Sequence, residues 1–459
     1  MKSPVAHTLL RRLQSALVGL ITLQLCFSAL PSRTQAQVPC LAGFVQDPGG
    51  APVVNADLDF DNALTGQRLV TPGDNTDASG FYSVCVLPGL YHISFAPPPG
   101  TRLLGQRFTN VSLQSSLELN VTLQTGVVIS GVITDSLGNP IGGVDLDVDV
   151  VGGQRLYTPG DNSDSLTGAY RIVVPPGLHR ISFEPFPGDP WIAQRFDSVL
   201  ITNDTVINLK LTRGVLLSGT LRDQSTVHVA NVDLSLKDVA TGAKVFLANS
   251  RSDSLGVYSV VAEPGLYTAQ FSPPPGARLI GVQLDSVSLS IDTTIDVTLV
   301  DGHLVNITIV DSDLVSQSNA DVDITDETTR ARLFLPYDLT NSTGAAQVAV
   351  PTGVYEIKAD PPPGGILDRV IVRNISITAD TSMTLVLPIR EVIISGLVVD
   401  ATGAGIVDVT IGARSGSDGS LLRVRRGTTA SDGSYAASVP LVATSVWFSP
   451  PRGSHYRGT

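Results

Sequence analysis

The sequence predicts an all-β chain, a tandem array of β-sandwich modules of about 88 residues, and three observations predict it. The first is a period. Gly43, Gly131 and Gly219 lie 88 residues apart (131 − 43 and 219 − 131), and the glycines of LPGLY, PPGLH, EPGLY and PTGVY (Gly89, Gly177, Gly265 and Gly353) keep that interval. Self-similarity at a fixed spacing marks a chain of stacked or strung units. The second is composition: 43 Gly and 30 Pro in 459 residues, with 42% hydrophobic and only 16% charged, give material for several cores and frequent turns between them. The third is alternation. Leu41, Gly43 and Val45, then Tyr82, Val84 and Val86, then Tyr91, Ile93 and Phe95 each recur at every second residue, which puts each set on one face of a strand. A helical reading fails because no segment keeps apolar residues at three- and four-residue spacing without Gly, Pro or β-branched interruption.

The segments follow in order. Residues 1–36 read as a secretory signal: Lys2, Arg11 and Arg12 precede the apolar run SALVGLITLQLCFSAL, and Thr34-Gln35-Ala36 supplies a small-residue cleavage site. That run is too short, and too interrupted by Thr22 and Gln24, for a membrane span, and no later segment comes closer. The mature chain is therefore expected outside the cell or at its surface, and the terse signal points to a bacterium. Repeat 1 spans 37–126, repeat 2 127–214, repeat 3 215–302 and repeat 4 303–390. Pro-Pro-Pro-Gly ends at Gly100, Gly276 and Gly364, with PFPG (Gly188) and PPRG (Gly453) in the other copies. Repeat 5, 391–459, opens with IISGLVVDATGAGI and stops six residues beyond Gly453, so it is expected to be truncated at its C-terminus.

Removing residues 1–36 deletes Lys2, Arg11, Arg12 and Arg33 and no acidic residue, leaving 26 basic against 42 acidic residues, a balance of −16. Nucleic acid and anionic membrane surfaces are therefore poor candidate partners. No catalytic constellation assembles either. His92, His179, His228, His303 and His455 fall at different places in their repeats, and neither HExxH nor GxSxG occurs. They are expected to be single solvated histidines in a chain that is not an enzyme and carries no cofactor.

Three groups remain as candidate sites. DLDFD and DLDVD put Asp57, Asp59 and Asp61, then Asp145, Asp147 and Asp149, on one strand face. With Asp74 and Asp77 of TPGDNTDASG, or Asp161 and Asp164 of TPGDNSDSLTG, such oxygens suit calcium; the alternative is a solvated face whose charges discourage edge-to-edge pairing. Trp447 stands where the other repeats carry Ser94, Ser182, Gln270 and Lys358, on the outward phase of its strand, and beside Tyr456 it is a candidate sugar-stacking platform. Cys40 and Cys85 are the only thiols left after signal removal. Both lie on the phase opposite to the buried series, which allows a disulfide in an oxidising compartment; the alternative is two small apolar residues, as at Val128 with Val173 and Leu216 with Val261.

The order G-x-V-x-D, a Gly-x-Pro turn, an apolar strand, T-D-x-x-G-x-Y and then P-G-x-Y, seen as GVITDSLGNPIGGVDLDV in repeat 2 and TASDGSYAASV in repeat 5, resembles the carboxypeptidase regulatory-like domain. The resemblance covers essentially the mature chain, with repeat 4 departing most through Ile307 in place of Gly. It implies an Ig-like or transthyretin-like β-sandwich, of the kind appended to secreted enzymes or strung along bacterial surface proteins. A non-enzymatic stalk or display scaffold is expected. The competing expectations are a carbohydrate-binding array, whose partner would be a polysaccharide in place of another surface protein, and the accessory region of a secreted hydrolase.

Overall fold

The computed structural model describes residues 38–458 apart from Gly364 and Asp418, so the segment 1–36 expected to be a signal lies outside the described residues. Alternation decides the architecture. Strand Cys40–Gln46 turns Leu41, Gly43 and Val45 inward, pairs antiparallel with Phe81–Cys85, and is flanked on its other edge by the short parallel strands Leu117–Glu118 and Val121–Thr122. A second sheet places Gly89–Ala96 between Asp57–Asn62 and Gln106–Leu113. Leu58, Phe60, Ile93 and Phe95 fill the space between the sheets with no exposed area, each such side chain contributing about 1.5–3 kcal/mol by burial.

The plan recurs around Val127–Thr134, Val215–Asp223 and His303–Asp311. Each copy has its own apolar cluster, drawn from residues 41–123, 129–211, 215–299 and 305–387. In repeat 5, Glu391–Leu397 pairs with Ser434–Pro440, and Thr410–Ser415 lies between Leu421–Leu422 and Ala443–Ser449. Among the described residues there is no helix. The structure is thus all-β, with β-sandwiches in tandem.

Two polar pins recur with the cores. Directly before the hairpin that closes with Gly80, the buried Thr76 hydroxyl accepts the Ala56 N–H (2.8 Å) and donates to Val53 O (2.6 Å). Ser163, Ser252, Thr340 and Thr429 make the same two bonds in the other repeats. A buried N–H and C=O are satisfied by one hydroxyl, which would otherwise cost about 1–3 kcal/mol for each group left unpaired. The second pin sits at the P-G-x-Y corner, where Tyr91, Tyr267 and Tyr355 donate back four residues to Leu87 O, Glu263 O and Pro351 O. In repeat 2 this role belongs to His179. Its ring is 1% exposed and its Nε2 lies 2.8 Å from Pro175 O, so this histidine is a buried corner residue and not the solvated one expected.

The departure of repeat 4 has a physical cause. In repeats 1 to 3 a tyrosine opposite the first-strand glycine (Gly43↔Tyr82, Gly131↔Tyr170, Gly219↔Tyr258) sends its hydroxyl to a carbonyl of the parallel edge segment: Leu119 O, Ile207 O and Ile295 O, each at 2.6 Å. A Cβ on the glycine would run into that same carbonyl. Here the parallel edge is broken into two short pieces. In repeat 4 the pair is Ile307 with Ala346, and the edge strand Thr381–Leu387 pairs without interruption from Val305↔Thr381 to Asp311↔Leu387. Gly with Tyr and Ile with Ala are two solutions of one packing problem.

Gly131→Ile alone is therefore expected to destabilise repeat 2 by about 1–3 kcal/mol through overpacking. Adding Tyr170→Ala, which installs the pair found in repeat 4, should restore more than half of that loss. Native-state hydrogen exchange of the Val127–Thr134 amides reads both; a double variant no better than the single one contradicts the coupling.

Candidate functional site

The outer face of each second sheet carries a row of polar residues set by strand register. In repeat 1, Ser94 lies between Asp59 and Arg107. In repeat 2, Ser182 lies between Asp147 and Arg195, and in repeat 3, Gln270 lies between Ser235 and Gln283. The face is only partly solvated, unlike the alternative to calcium that the sequence leaves open. Ser94 has no exposed area and Asp61 is 9% exposed, and the acidic stripe is taken up by arginines: Arg68 reaches Asp59 (3.0 Å) and Asp61 (3.3 Å), and Arg107 reaches Asp61 (2.9 Å). Arg155 pairs with Asp147 in repeat 2, and Arg332 and Lys358 pair with Asp323 in repeat 4.

What approaches this region is the next repeat. Tyr157, six residues before the Ser163 pin, inserts beside it. Burial, with the Asp59 carboxylate nearby, pushes its phenol up to about 12. Its backbone and ring, together with Pro159, close over Gly105. The equivalent Phe246 of repeat 3 lies 4.7 Å from the Arg195 guanidinium of repeat 2, a cation–π contact. Phe334 of repeat 4 closes with Pro336 over Gly281 of repeat 3. In repeat 1 the same position is Val70, 92% exposed. The loop that leads into TPGDNSDSLTG in repeat 2, and its counterparts in repeats 3 and 4, is thus the contact element between repeats.

The candidate calcium carboxylates are engaged within their own loops. Asp77 Oδ1 accepts Ser79 N (2.8 Å), Ser79 Oγ (2.7 Å) and Phe81 N (2.9 Å); Asp164 Oδ1 accepts Leu166 N (3.1 Å), Thr167 N (2.9 Å) and Thr167 Oγ1 (2.8 Å). Asn341 makes the same contacts in repeat 4, to Thr343 and Ala345, so an uncharged amide suffices at this position. Asp74 accepts from Thr71 and Asp161 from Thr158, and burial raises Asp161 above the ordinary carboxylate value. No three of these four carboxylates come within joint ligand distance. Among the described residues that proximity occurs at Asp321, Asp323 and Asp360, which the sequence reading did not single out. There the Lys358 ammonium lies 2.7 Å from both Asp323 and Asp360, where a cation would sit.

Trp447 is half-buried, not fully exposed. Its ring lies over Gly412 on the neighbouring strand, with the Arg414 guanidinium 5.4 Å from its centroid. Tyr456 is 46% exposed, and no ring contact joins it to Trp447 among the described residues. Trp191 packs against the repeat 2 core. Cys40 and Cys85 are directly opposed across the first and third strands and are joined by a disulfide. His92 Nδ1 accepts the Asn110 N–H, His228 contacts Leu255 O and His303 Nε2 lies 2.9 Å from Thr352 Oγ1, so none meets another histidine.

No known protein-family profile matches the chain, and no curated protein matches it. Among solved structures with a detectable resemblance, three are representative and score low. The Bacillus anthracis TIE protein is 14% identical over 74% of this chain and 68% of its own, with a TM-score of 0.17. BcpA, the major pilin subunit of Bacillus cereus, is 12% identical over 58% of this chain and 99% of its own, with a TM-score of 0.16. The shaft pilin spaA of Lactobacillus rhamnosus GG is 10% identical over 38% of this chain and 97% of its own, with a TM-score of 0.18.

The turn carboxylates make a pH prediction. Hydrogen bonds from Ser79 hold Asp77, and from Thr167 hold Asp164, below the ordinary value of 3.8. Depressed folded-state values give stability that is present above 3.8 and is lost as pH falls through the lower folded value. Asp164→Asn is expected to keep the turn, as Asn341 does, and to make repeat 2 less sensitive to acid in that window. Acid titration followed by hydrogen exchange checks this; an unchanged acid sensitivity contradicts it.

Proposed function

We propose that the chain is a non-enzymatic, exported bacterial scaffold that works as a stalk or display segment at the cell surface. The observation that carries the reading is the state of the connectors. Arg102 O accepts the Gly126 N–H (2.8 Å) and Leu104 N–H donates to Gln124 O (2.8 Å), so the segment entering repeat 2 is paired with the loop that follows Pro-Pro-Pro-Gly. The same two bonds recur at Pro190 O with Gly214 N and Ile192 N with Thr212 O, then at Arg278 O with Gly302 N and Ile280 N with Val300 O. At the fourth junction Arg390 N donates to Ile366 O and Asp368 N to Pro388 O. A connector tied by its own backbone cannot act as a free coil, so successive repeats are held apart in series.

The non-enzymatic reading is supported by the candidate groups being engaged in structure: His179 at a corner, His92 and His228 on backbone groups, Asp77 and Asp164 on turn amides. Carbohydrate binding is the second reading, favoured by one observation, the Trp447 ring with Arg414 against it; an aromatic face with a polar neighbour suits a sugar.

Each repeat is about 30 Å long if its longest strands, of eight or nine residues, set its length, so five in series would reach about 150 Å. Small-angle scattering of the mature chain is expected to give a maximum dimension near that value. A radius of gyration of about 22 Å, that of a compact globule of this length, would contradict the stalk.

A further inference from the structure

The junctions are not equivalent, and their differences follow a period of two repeats. Arg102 of repeat 1 donates from Nη1 to Asp204 Oδ1 of repeat 2 (3.0 Å) and pairs through Nη2 with Oδ2, while Oδ1 also accepts the Val128 N–H (3.1 Å). Arg278 of repeat 3 does the same to Asp380 of repeat 4: Nη1 to Oδ1 at 3.0 Å, Nη2 to Oδ2 at 2.5 Å, with Leu304 N–H on Oδ1 at 3.1 Å. Both arginines lie 102 residues before their aspartates and 176 residues (278 − 102) from each other. Between repeats 2 and 3 the aspartate is kept, as Asp292, and still accepts its backbone N–H from Leu216 (3.0 Å). The arginine is not: its position is Pro190, which has no side-chain donor.

The loop contacts alternate in the same phase. Gly105 and Gly281 have no Cβ, and one added there would stand 2.6 Å from Pro159 Cδ or 2.8 Å from Pro336 Cδ. Close approach of the next repeat's loop requires glycine at both places. At the junction of repeats 2 and 3 these residues are Ala193 and Ala248, and the loop is held by the Phe246–Arg195 contact and by Asn249 Nδ2 donating to Pro185 O (3.1 Å). Three residue types therefore change together, in sequence and in contact. At the fourth junction the arginine position is Ile366 and the glycine position Arg369, which continues the alternation.

We infer that the array is jointed: repeats 1 and 2 form one rigid pair, repeats 3 and 4 form another, and the junction at Pro190 is the compliant joint between them. The inference goes beyond the stalk reading and does not rest on it, since it concerns the relative stiffness of junctions and not the reach of the chain. Each clamp is a bidentate guanidinium–carboxylate pair with solvent on one side. Such a pair contributes about 0.2–1 kcal/mol, which changes the population of an opened junction by about 1.4- to 5-fold. That is enough to separate stiff from loose junctions where the backbone bonds are common to all.

The test uses the full mature chain with spin labels on paired cysteines introduced at Leu64 and Leu137, at Leu137 and Leu255, or at Leu255 and Leu314, which are exposed turn positions on successive repeats. The native Cys40–Cys85 disulfide is left in place. Dipolar spectroscopy is expected to give narrow distance distributions across the first and third junctions and one about twofold wider across the second. Asp204→Asn, which keeps an acceptor for Val128 N–H but removes the ion pair, should widen the first distribution alone; Pro190→Arg, which places a guanidinium opposite Asp292, should narrow the second. Added salt should loosen the first and third junctions more than the second, because only the former are clamped by an ion pair. Three equal widths, or no response to Asp204→Asn, overturn the inference while leaving the scattering result for the stalk untouched.

Discussion

The pair of backbone hydrogen bonds between each connector and the loop after Pro-Pro-Pro-Gly is the constraint on which the array depends. Without it, a connector only a few residues long would still allow adjacent sandwiches to swivel, and each aromatic loop would search for its neighbour at an ordering cost of about 1–2 kcal/mol per backbone residue. With it, residues 102–104 form a fixed seat. Arg102 projects from that seat to Asp204, and the Arg171 guanidinium of repeat 2 returns to Thr101 O at 2.8 Å. Leu103, whose backbone bridges to Thr125, packs its side chain into the repeat 1 core, so the seat is anchored to the sandwich behind it.

The same logic explains the polar outer sheet face. A free-standing sandwich would leave that face to water. Here its charges are neutralised in place, by Arg68 and Arg107 around Asp59 and Asp61, and the next repeat brings an aromatic residue to its border. A salt-bridged surface gains little from burial, so such a contact is specific in geometry yet modest in strength. That combination suits repeats that must keep a fixed order without merging into a single core.

Much of this was legible in the sequence. The period of 88 and the inward series Leu41, Gly43, Val45 and Tyr91, Ile93, Phe95 follow from alternation and internal equivalence, and the structure buries those residues. Three features were not legible, for identifiable reasons. The parallel edge strands are two residues long in repeat 1, too short to carry a period. Alternation separates two faces of a strand but does not say whether the polar face meets water, an ion or another repeat, so it leaves the burial of Ser94 and Asp61 open. His179 reads as an isolated histidine unless it is aligned with Tyr91, Tyr267 and Tyr355, when its corner role is plain. The coupling of Ile307 to Ala346 was half visible: the missing glycine stood out, and the missing tyrosine opposite it did not.

The connector bonds are open to direct measurement. Hydrogen exchange resolved to single amides should show Gly126, Gly214 and Gly302, and with them Leu104, Ile192 and Ile280, protected to the same order as amides inside the strands, because all six donate to backbone carbonyls. Protection at these six positions, shared by clamped and unclamped junctions alike, is the predicted result. Exchange at the rate of an unstructured peptide would mean that the connectors are free coils, and the array would then be a string of independent sandwiches.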